Sequence, residues 1–252
     1  MANKIALVTG ASRGIGKNIA LKLAEKKINL IITYHNKKEE ALKVVSEIKN
    51  IGGNAVALRL SAGEINTFDT FFEQAAKALK ENFNTDHFDY LINNAGMGLQ
   101  VPFAETSEKQ FDELMNVQFK GVYFLVQKAL NYLNEGGCIV NISSRLTQAS
   151  MPGFSAYASM KGAVETLTRC LAKELSSKKI RVNAIAPGPI ATCPAEDLAN
   201  DKAVNNVNEK AAPVFDAAGR PKDVGGLAAF LCTDDAGWIT AQRIEVSGFM
   251  VL

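Results

Sequence analysis

The strongest constraint on the fold is a glycine-rich turn between a short apolar run and an amphipathic helix. Residues 4–9 (KIALVT) have the character of a strand, residues 10–16 read GASRGIG, and helical periodicity continues to about residue 27. Gly10 permits a tight turn, and the later glycines let a pyrophosphate approach the free N–H groups at a helix N-terminus. This succession predicts the first half of a dinucleotide-binding unit.

Short apolar runs then alternate with helical patterns along the whole chain. Further strands are predicted at residues 29–34, 55–60, 88–92, 138–142, 181–185 and 244–246. Helices are predicted at residues 38–50, 65–81, 107–133 and 155–177, with a last one opening at residues 220–224. We therefore predict a single α/β domain over residues 1–252, a Rossmann fold whose doubly wound sheet of seven parallel strands has helices on both faces.

Composition narrows the possible functions. The chain has a formal net charge of +2, with 47% hydrophobic and 21% charged residues and no basic stripe, which argues against a nucleic-acid or membrane-surface role. Its apolar runs are far shorter than the roughly 18 residues of a membrane span. A strand follows Met1 almost at once, which leaves no room for a signal peptide and leads us to expect a cytoplasmic protein.

The cysteines and histidines do not suggest a metal site. No two cysteines are spaced as C-x-x-C, and the chain has two histidines, so we expect neither bound metal nor a disulfide framework. Inert thiols in a reducing compartment are the simpler interpretation. The residues concerned are Cys138, Cys170, Cys193, Cys232, His35 and His87.

Tyr157 and Lys161 are candidates for acid–base chemistry. They lie four positions apart on a predicted helix and so share a face. A free tyrosine ionises near pH 10, and moving its pKa to about 7 requires about 4 kcal/mol in favour of the phenolate. One cation about 4 Å away supplies about that much at an effective dielectric near 20. The alternative is a surface Tyr–Lys pair on an ordinary helix.

The surroundings of this pair favour a catalytic role. Residues 138–142 form a predicted strand that ends at Ser144, and a loop then leads to the helix with Tyr157-x-x-x-Lys161. This arrangement resembles the short-chain dehydrogenase/reductase family, classical type, of 3-oxoacyl reductase-like character. Five motifs occur in family order between residues 4 and 248. The family uses Ser, Tyr, Lys and usually Asn to move hydride between a nicotinamide and a carbonyl or alcohol.

The resemblance implies an NADP(H)-dependent carbonyl reductase, reversible as an alcohol dehydrogenase. Ser144 would hold the substrate oxygen, Tyr157 would be the general acid, and Lys161 would lower the Tyr157 pKa and hold the cofactor ribose. Where relatives carry Asp after the third strand this chain has Ser61, which can still accept a hydrogen bond from adenine. The implied cofactor-binding residues are Gly10, Ser12, Arg13, Gly14, Ile15, Gly16, His35, Asn36, Ser61, Asn94, Ala95, Gly96, Tyr157, Lys161, Pro187, Gly188, Ile190 and Thr192.

The exit of the second strand favours NADP(H) over NAD(H). NAD-binding enzymes usually place an acidic residue there for the ribose 2′-hydroxyl, whereas residues 35–38 read HNKK and Glu39 is the first carboxylate. Arg13 in the glycine turn could add a cation that faces a 2′-phosphate. Lys37 and Lys38 could instead be the solvated start of the next helix.

Gln118 is a departure from the family pattern. Residues 117–121 read VQFKG where the family has Val-Asn-x-x-Gly, so Gln118 takes the slot of the fourth catalytic residue. In relatives this Asn helps to hold a water that links the lysine to solvent. Glutamine has the same amide on a longer stem, so it could complete the relay or only pack.

The substrate is the least determined part. Five apolar residues are expected to line a cleft, and Arg145 could meet a carboxylate or face solvent. A 3-oxoacyl group on an acidic carrier protein is a familiar family substrate, but residues 129–137 contain no basic side chain for a carrier to contact. The polar segment 191–215 is typical of a lid or of disorder. The apolar residues are Met97, Leu99, Val101, Met151 and Phe154.

Two other functions stay open. One is an NAD-linked sugar or polyol dehydrogenase, and the other is a non-catalytic dinucleotide-binding regulator, because a fold alone does not fix a function. By resemblance the chain is expected to form a homotetramer through helices 107–133 and 155–177 and through its apolar C-terminal end.

Overall fold

Parallel strands at the centre of the protein form one sheet. The computed structural model describes residues 4–190 and 219–248. The strands are β1 (Ile5–Val8), β2 (Asn29–Tyr34), β3 (Ala55–Arg59), β4 (Phe88–Asn93), β5 (Leu133–Ile142), β6 (Arg181–Pro187) and β7 (Arg243–Val246). Their order in the sheet is β3-β2-β1-β4-β5-β6-β7, and every neighbouring pair is parallel. The predicted seven-stranded, doubly wound Rossmann fold is confirmed.

Helices cover both faces of the sheet. They are α1 (Gly14–Glu25), α2 (Lys38–Asn50), α3 (Phe68–Phe83), α4 (Glu108–Met115), α5 (Gly121–Ala129), α6 (Ser155–Glu174) and α7 (Pro221–Leu231). Buried residues of α1, α2 and α7 share one hydrophobic core with the sheet, and those of α3, α5 and α6 share the other. None of these helices, in the part of the chain that the structure describes, is long and apolar enough to cross a membrane.

Burial on both faces explains why the strands are apolar throughout. In β1, Ala6 and Val8 belong to the core under α1 and α2, whereas Ile5 and Leu7 belong to the core under α3 and α5. A strand with one wet face would alternate apolar and polar residues, and a parallel sheet covered twice does not.

The predicted helix over residues 107–133 is wrong in its middle and at its end. Residues Asn116–Lys120 form a π-helical turn between α4 and α5, the helix ends at Ala129, and β5 already begins at Leu133. The first residues of β5 join the sheet through a register shift, where a Cβ on Gly137 would lie 2.6 Å from the Asp89 carbonyl oxygen. This tertiary pairing overrides the apolar periodicity that had suggested a longer helix.

The topology brings the predicted site residues to one edge. β1 and β4 are neighbours although β2 and β3 lie between them in sequence, so the sheet reverses its direction of winding at this pair. Open parallel sheets bind ligands outside the carboxyl ends of the strands at such a switch point. The residues that follow β1, β4, β5 and β6 are those predicted to bind cofactor and substrate.

Candidate active site

The glycine turn after β1 has no room for a side chain at Gly10. Gly10 has a φ of +64°, and an added Cβ would lie 2.8 Å from the Ala95 Cα. Gly14 has a φ of +57° and begins α1, whose N-cap residue Arg13 makes no side-chain capping hydrogen bond. The first N–H groups of α1 are therefore left for a ligand, as a bound pyrophosphate requires.

The exit of β4 forms a wall against this turn. The Asn94 amide donates to the carbonyl oxygens of Thr9 (2.9 Å) and Gly10 (3.1 Å). The Thr9 hydroxyl oxygen accepts from the backbone N–H groups of Asn94 and Ala95, each at 2.9 Å. Asn94 and Ala95 thus hold the glycine turn in place, and their contacts explain the tight packing around Gly10.

The residues that were predicted to select the cofactor lie in the glycine turn after β1 and at the exits of β2 and β3. Arg13, His35 and Asn36 are exposed, whereas Ser61 is half-buried at the end of β3. Sequence reasoning missed Arg59, whose Nε donates to the His35 carbonyl oxygen at 3.3 Å. Arg59 is paired with Tyr34 in the sheet, so it lies at the same edge as the exit of β2. The sequence could have indicated this cation, because the ends of the parallel strands β2 and β3 are expected to lie side by side.

Ser144, Tyr157 and Lys161 come together where β5 meets α6. Ser144 is buried just beyond β5, and Tyr157 lies on the first turn of α6, close enough for the Ser144 hydroxyl to act on the pKa of the phenol. Lys161 is buried one turn further along, where its Nζ donates to the Ile142 carbonyl oxygen at 2.7 Å and lies 5.8 Å from the centroid of the Tyr157 ring. The structure therefore assembles the three residues that the sequence singled out.

The charge state of this cluster differs from the prediction. Burial raises the pKa of Tyr157, and the nearby Ser144 hydroxyl opposes the rise without cancelling it. Burial also lowers the pKa of Lys161 to about 8. The expectation that Lys161 brings the Tyr157 pKa close to 7 is wrong for this structure. The ammonium is bonded to Ile142 rather than to the phenol, and packing around the ring, which leaves Tyr157 half-buried, disfavours the phenolate.

Gln118 lies in the π-helical turn with 1% of its surface exposed. Its Nε2 donates to the Met97 carbonyl oxygen, and a Cβ added to Gly96 would lie 3.0 Å from its Oε1. That Oε1 is buried and has no protein hydrogen-bond partner. Gln118 thus contacts the far end of the β4 wall and still has one acceptor for a further ligand or water.

The exit of β6 closes the other side of the site. Pro187 ends the strand, and the Gly188 N–H donates to the Val246 carbonyl oxygen at 2.8 Å. A Cβ on Gly188 would lie 2.9 Å from the Ser247 Cα, so the two backbones approach closely. Ile190 pairs with Gly219 in an isolated bridge. Thr192, the proposed lid 191–215, Cys193 and the apolar end 249–252 lie outside the described residues.

A cavity of about 690 Å³ opens beside the cluster. Met151 and Phe154 line it as predicted, but Met97, Leu99 and Val101 are not among its lining residues. Ser144, Tyr157 and Lys161 do not line it, but the Phe154 ring stands edge-on to the Tyr157 ring, with 6.2 Å between the ring centroids, so the cavity is adjacent to Tyr157. Residues that sequence reasoning did not name complete the lining, and they are Gln100, Pro102, Phe103, Leu146, Ser150, Pro152, Gly153, Ser155 and Ala158.

The residues present fit a dinucleotide. The space at Gly10 is so narrow that a single added Cβ would fill it. The uncapped N-terminus of α1 lies at the same edge of the sheet as Ser144, Tyr157 and Lys161. Such a cradle leaves the backbone exposed to a pyrophosphate, whose negative charge the helix dipole favours.

Known proteins share both the sequence and the fold. A model of the family described as Enoyl-(Acyl carrier protein) reductase matches residues 10–249. The chain is 35% identical to hydroxynaphthalene reductase-like protein Arp2 of Metarhizium brunneum, over 98% of this chain and 95% of that protein. It is 34% identical to versicolorin reductase stcU of Emericella nidulans, over 97% and 94% respectively.

A solved structure, angucycline C-6 ketoreductase LanV with bound NADP, superimposes with a TM-score of 0.92 at 34% identity, covering 97% of this chain and 94% of that one. The switch-point cradle and the Ser–Tyr–Lys cluster define a dinucleotide-dependent oxidoreductase. With these relatives the assignment becomes specific: the chain belongs to the short-chain dehydrogenase/reductase family.

Proposed function

We propose that this protein is an NADPH-dependent carbonyl reductase that reduces a ketone on a bulky, largely apolar molecule. The observation that carries the proposal is the grouping of Ser144 and Tyr157 with buried Lys161, whose Nζ lies 5.8 Å from the Tyr157 ring centroid, next to a largely apolar cavity. The same residues would run the reverse reaction as an alcohol dehydrogenase. A non-catalytic regulator would have no need of this complete cluster.

The chain's own residues would orient and protonate the substrate oxygen. The Ser144 hydroxyl donates a hydrogen bond to the carbonyl oxygen, and the Tyr157 phenol transfers its proton to that oxygen as negative charge develops. The raised pKa of Tyr157 keeps the phenol protonated at neutral pH, which suits an acid. Bound NADPH supplies the hydride. Lys161, positioned by Ile142, would face the cofactor ribose and favour the phenolate that is left behind.

NADP(H) is the cofactor that the site and the relatives favour together. The solved relative LanV holds NADP, as does its complex with rabelomycin, which is 34% identical to this chain with a TM-score of 0.89. No acidic residue stands at the exit of β2, where His35 and Asn36 are exposed and Arg59 contacts the His35 carbonyl oxygen, while Arg13 is exposed in the neighbouring glycine turn after β1. A phosphate on the ribose would meet cations there rather than a carboxylate.

The substrate class follows from the cavity. Phe103, Met151 and Phe154 give it apolar and aromatic walls, and about 690 Å³ is enough for a molecule of several rings. Relatives carry names that refer to hydroxynaphthalene, versicolorin and angucycline reduction. We therefore propose a cyclic aromatic or polycyclic ketone as the substrate class. A 3-oxoacyl thioester is the second candidate, and a sugar or polyol is the third.

We expect the purified protein to oxidise NADPH in the presence of a quinone or a polycyclic aromatic ketone. Absorbance at the nicotinamide band would be followed with NADPH and NADH against aromatic ketones, 3-oxoacyl thioesters and sugars. A higher kcat/KM with NADPH is expected, and Arg13→Ala should reduce that preference about tenfold, because a charge-assisted hydrogen bond is lost.

Arg169→Ala is the matched control, because Arg169 is exposed on α6 and should leave the preference unchanged. A wild type that prefers NADH would contradict the proposed roles of Arg13 and His35. A wild type that reduces no carbonyl compound in the panel would contradict the proposed function itself.

Gln118 offers a test of proton supply. We propose that its unpartnered Oε1 holds a water that links Lys161 to solvent, while its Nε2 stays on Met97. Gln118→Ala should then lower kcat several-fold and leave the NADPH dissociation constant unchanged, and Gln118→Asn should keep most of the activity. An alanine variant that instead loses cofactor affinity or melting temperature would show that Gln118 only supports the wall at Gly96.

Assembly and location stay proposals. Phe111 on α4 and Tyr123 on α5 expose 39% and 44% of their surfaces, which suits burial against a second copy of the chain in a homotetramer. A cytoplasmic location agrees with the exposed free thiol of Cys170.

A further inference from the structure

Four charged side chains form a cluster next to the loop that carries Ser144. The proposed mechanism does not use them. Glu165 on α6 and Arg243 on β7 pair at 3.0 Å with side-chain exposures of 10% and 14%. Arg243 also pairs with Glu245 at 3.0 Å, and Glu245 pairs in turn with Arg145. Two cations and two anions balance, so the cluster is neutral as a whole.

One oxygen of Glu165 is the centre of the cluster. Glu165 Oε1 accepts from the Ser143 hydroxyl at 2.6 Å, from the Thr147 hydroxyl at 2.8 Å and from Arg243 Nε at 3.0 Å. Ser143 and Thr147 stand on either side of Ser144 in the chain. The loop with the catalytic serine is therefore held at both ends by a single carboxylate oxygen.

The same loop is also tied to itself and to α6. The Thr147 hydroxyl lies 3.0 Å from the Ser144 carbonyl oxygen and 2.8 Å from Glu165 Oε1, so its single proton is shared between these two acceptors. The Leu146 N–H donates to the Ser144 hydroxyl oxygen at 3.2 Å, which orients that hydroxyl. A shift of the loop would move the Ser144 hydroxyl directly.

Glu165 shares a helix face with the catalytic pair. Tyr157, Lys161 and Glu165 follow one another at intervals of four residues on α6, so their side chains form one stripe. The distance between the Ser144 hydroxyl and the Tyr157 phenol is thus fixed through one rigid helix and one carboxylate.

We propose that Glu165 is a positioning residue, which holds the Ser143–Thr147 loop so that Ser144 and Tyr157 meet the same substrate oxygen. Arg243, itself held by Glu245, keeps the Glu165 carboxylate in place and compensates its buried charge. This inference rests on the proposed function for its kinetic consequence. The geometric consequence, that the loop leaves its place without Glu165, does not depend on it.

Stability alone does not account for the placement of these charges. Buried ion pairs often contribute little to folding, and apolar replacements of similar volume are often as stable. The bonds from Glu165 go to the neighbours of the catalytic serine. Displacements of about 1 Å at a reacting group can cost about a hundredfold in rate.

The kinetic test compares Glu165→Ala and Glu165→Gln with wild type. Glu165→Ala should lower kcat by about tenfold to a hundredfold while the NADPH dissociation constant stays within about twofold. Glu165→Gln should recover much of kcat, because its amide oxygen can still accept from Ser143 and Thr147. Thr147→Val, which removes one of the three bonds without burying a charge, should give an intermediate loss. Glu174→Ala, at an exposed position of the same helix, is the matched control.

Rates are corrected for the folded fraction, measured by NADPH binding stoichiometry below the melting transition. If Glu165→Ala keeps kcat within twofold of wild type, or if its loss disappears after that correction, the positioning role is overturned. A melting temperature that falls while corrected kcat does not would assign Glu165 to stability only. If Glu165→Ala does not fold, the corrected kcat of Thr147→Val decides in the same way.

A second readout separates this inference from the proposed function. Crystal structures of wild type and of Glu165→Ala or Thr147→Val are compared at Ser144. A displacement of the Ser144 hydroxyl relative to Tyr157 supports positioning, even for a wild type that reduces no carbonyl compound tested. An unmoved loop overturns it, even for a wild type that is an active reductase.

Discussion

Replacement of Tyr157 by phenylalanine is expected to abolish most carbonyl reduction while NADPH still binds. The variant keeps the aromatic ring, which packs edge-on to Phe154, but removes the hydroxyl and with it the transferable proton. General acids contribute about 10²–10⁴-fold to rates, so kcat should fall by that order. Single-turnover reduction and the NADPH dissociation constant would be measured on the same preparation.

Tyr123→Phe is the matched control, because Tyr123 is 44% exposed on α5 and has no proposed part in the chemistry.

The pH dependence of the wild-type reaction is a second test of the same acid. Because burial raises the pKa of Tyr157, the wild-type acid stays protonated and kcat/KM for reduction should be level from pH 6 to about 8. It should fall above pH 8 as the free protein's Lys161 loses its charge. A Tyr157→Phe variant with near wild-type rates across pH 6–9 would remove the proposed acid.

The fold was predictable because local pattern and tertiary burial agree almost everywhere. The predicted strand 29–34 matches β2 at both ends, since its apolar run is bounded by turn residues and buried on both faces. The helix over residues 107–133 was predicted wrongly because nothing local marks the π-helical turn at Asn116–Lys120. Pairing of β5 with β4 also depends on a strand about 45 residues away, which a local pattern does not contain.

The site was predictable as a set of residues but not as an electrostatic environment. Ser144, Tyr157 and Lys161 lie together as predicted, because Ser144 follows the end of one strand and the other two residues are one turn apart on one helix. The direction of the Tyr157 pKa was wrong because burial of the ring outweighs a lysine that is bonded elsewhere. Glu165 was missed although its spacing from Lys161 places it on the catalytic face, since its partner Arg243 lies 78 residues further along.

Gly16→Ala is expected to have the second large effect, on cofactor binding and on stability together. An added Cβ would lie 2.5 Å from the Gly10 carbonyl oxygen and 3.0 Å from the Ala11 Cα, and it would collide with the Asn94 amide nitrogen. The first two are backbone atoms of the turn itself, which give way only if the turn moves. Asn94 would also lose its bonds to Thr9 and Gly10, which join the turn to the β4 wall.

Overpacking of this kind typically costs about 1–3 kcal/mol, so the NADPH dissociation constant should rise about fivefold to more than a hundredfold. The free energy of unfolding should fall by a similar amount, measured by denaturant titration without cofactor.

Gly226→Ala is the matched control, because that glycine is exposed within α7 and has open space where the Cβ would go. In a helix interior alanine is favoured by up to about 1 kcal/mol, so this variant should be as stable as wild type or more so and should bind NADPH normally. Wild-type NADPH affinity in Gly16→Ala would mean that the dinucleotide does not lie against this turn, and the cofactor site would have to be sought elsewhere on the sheet.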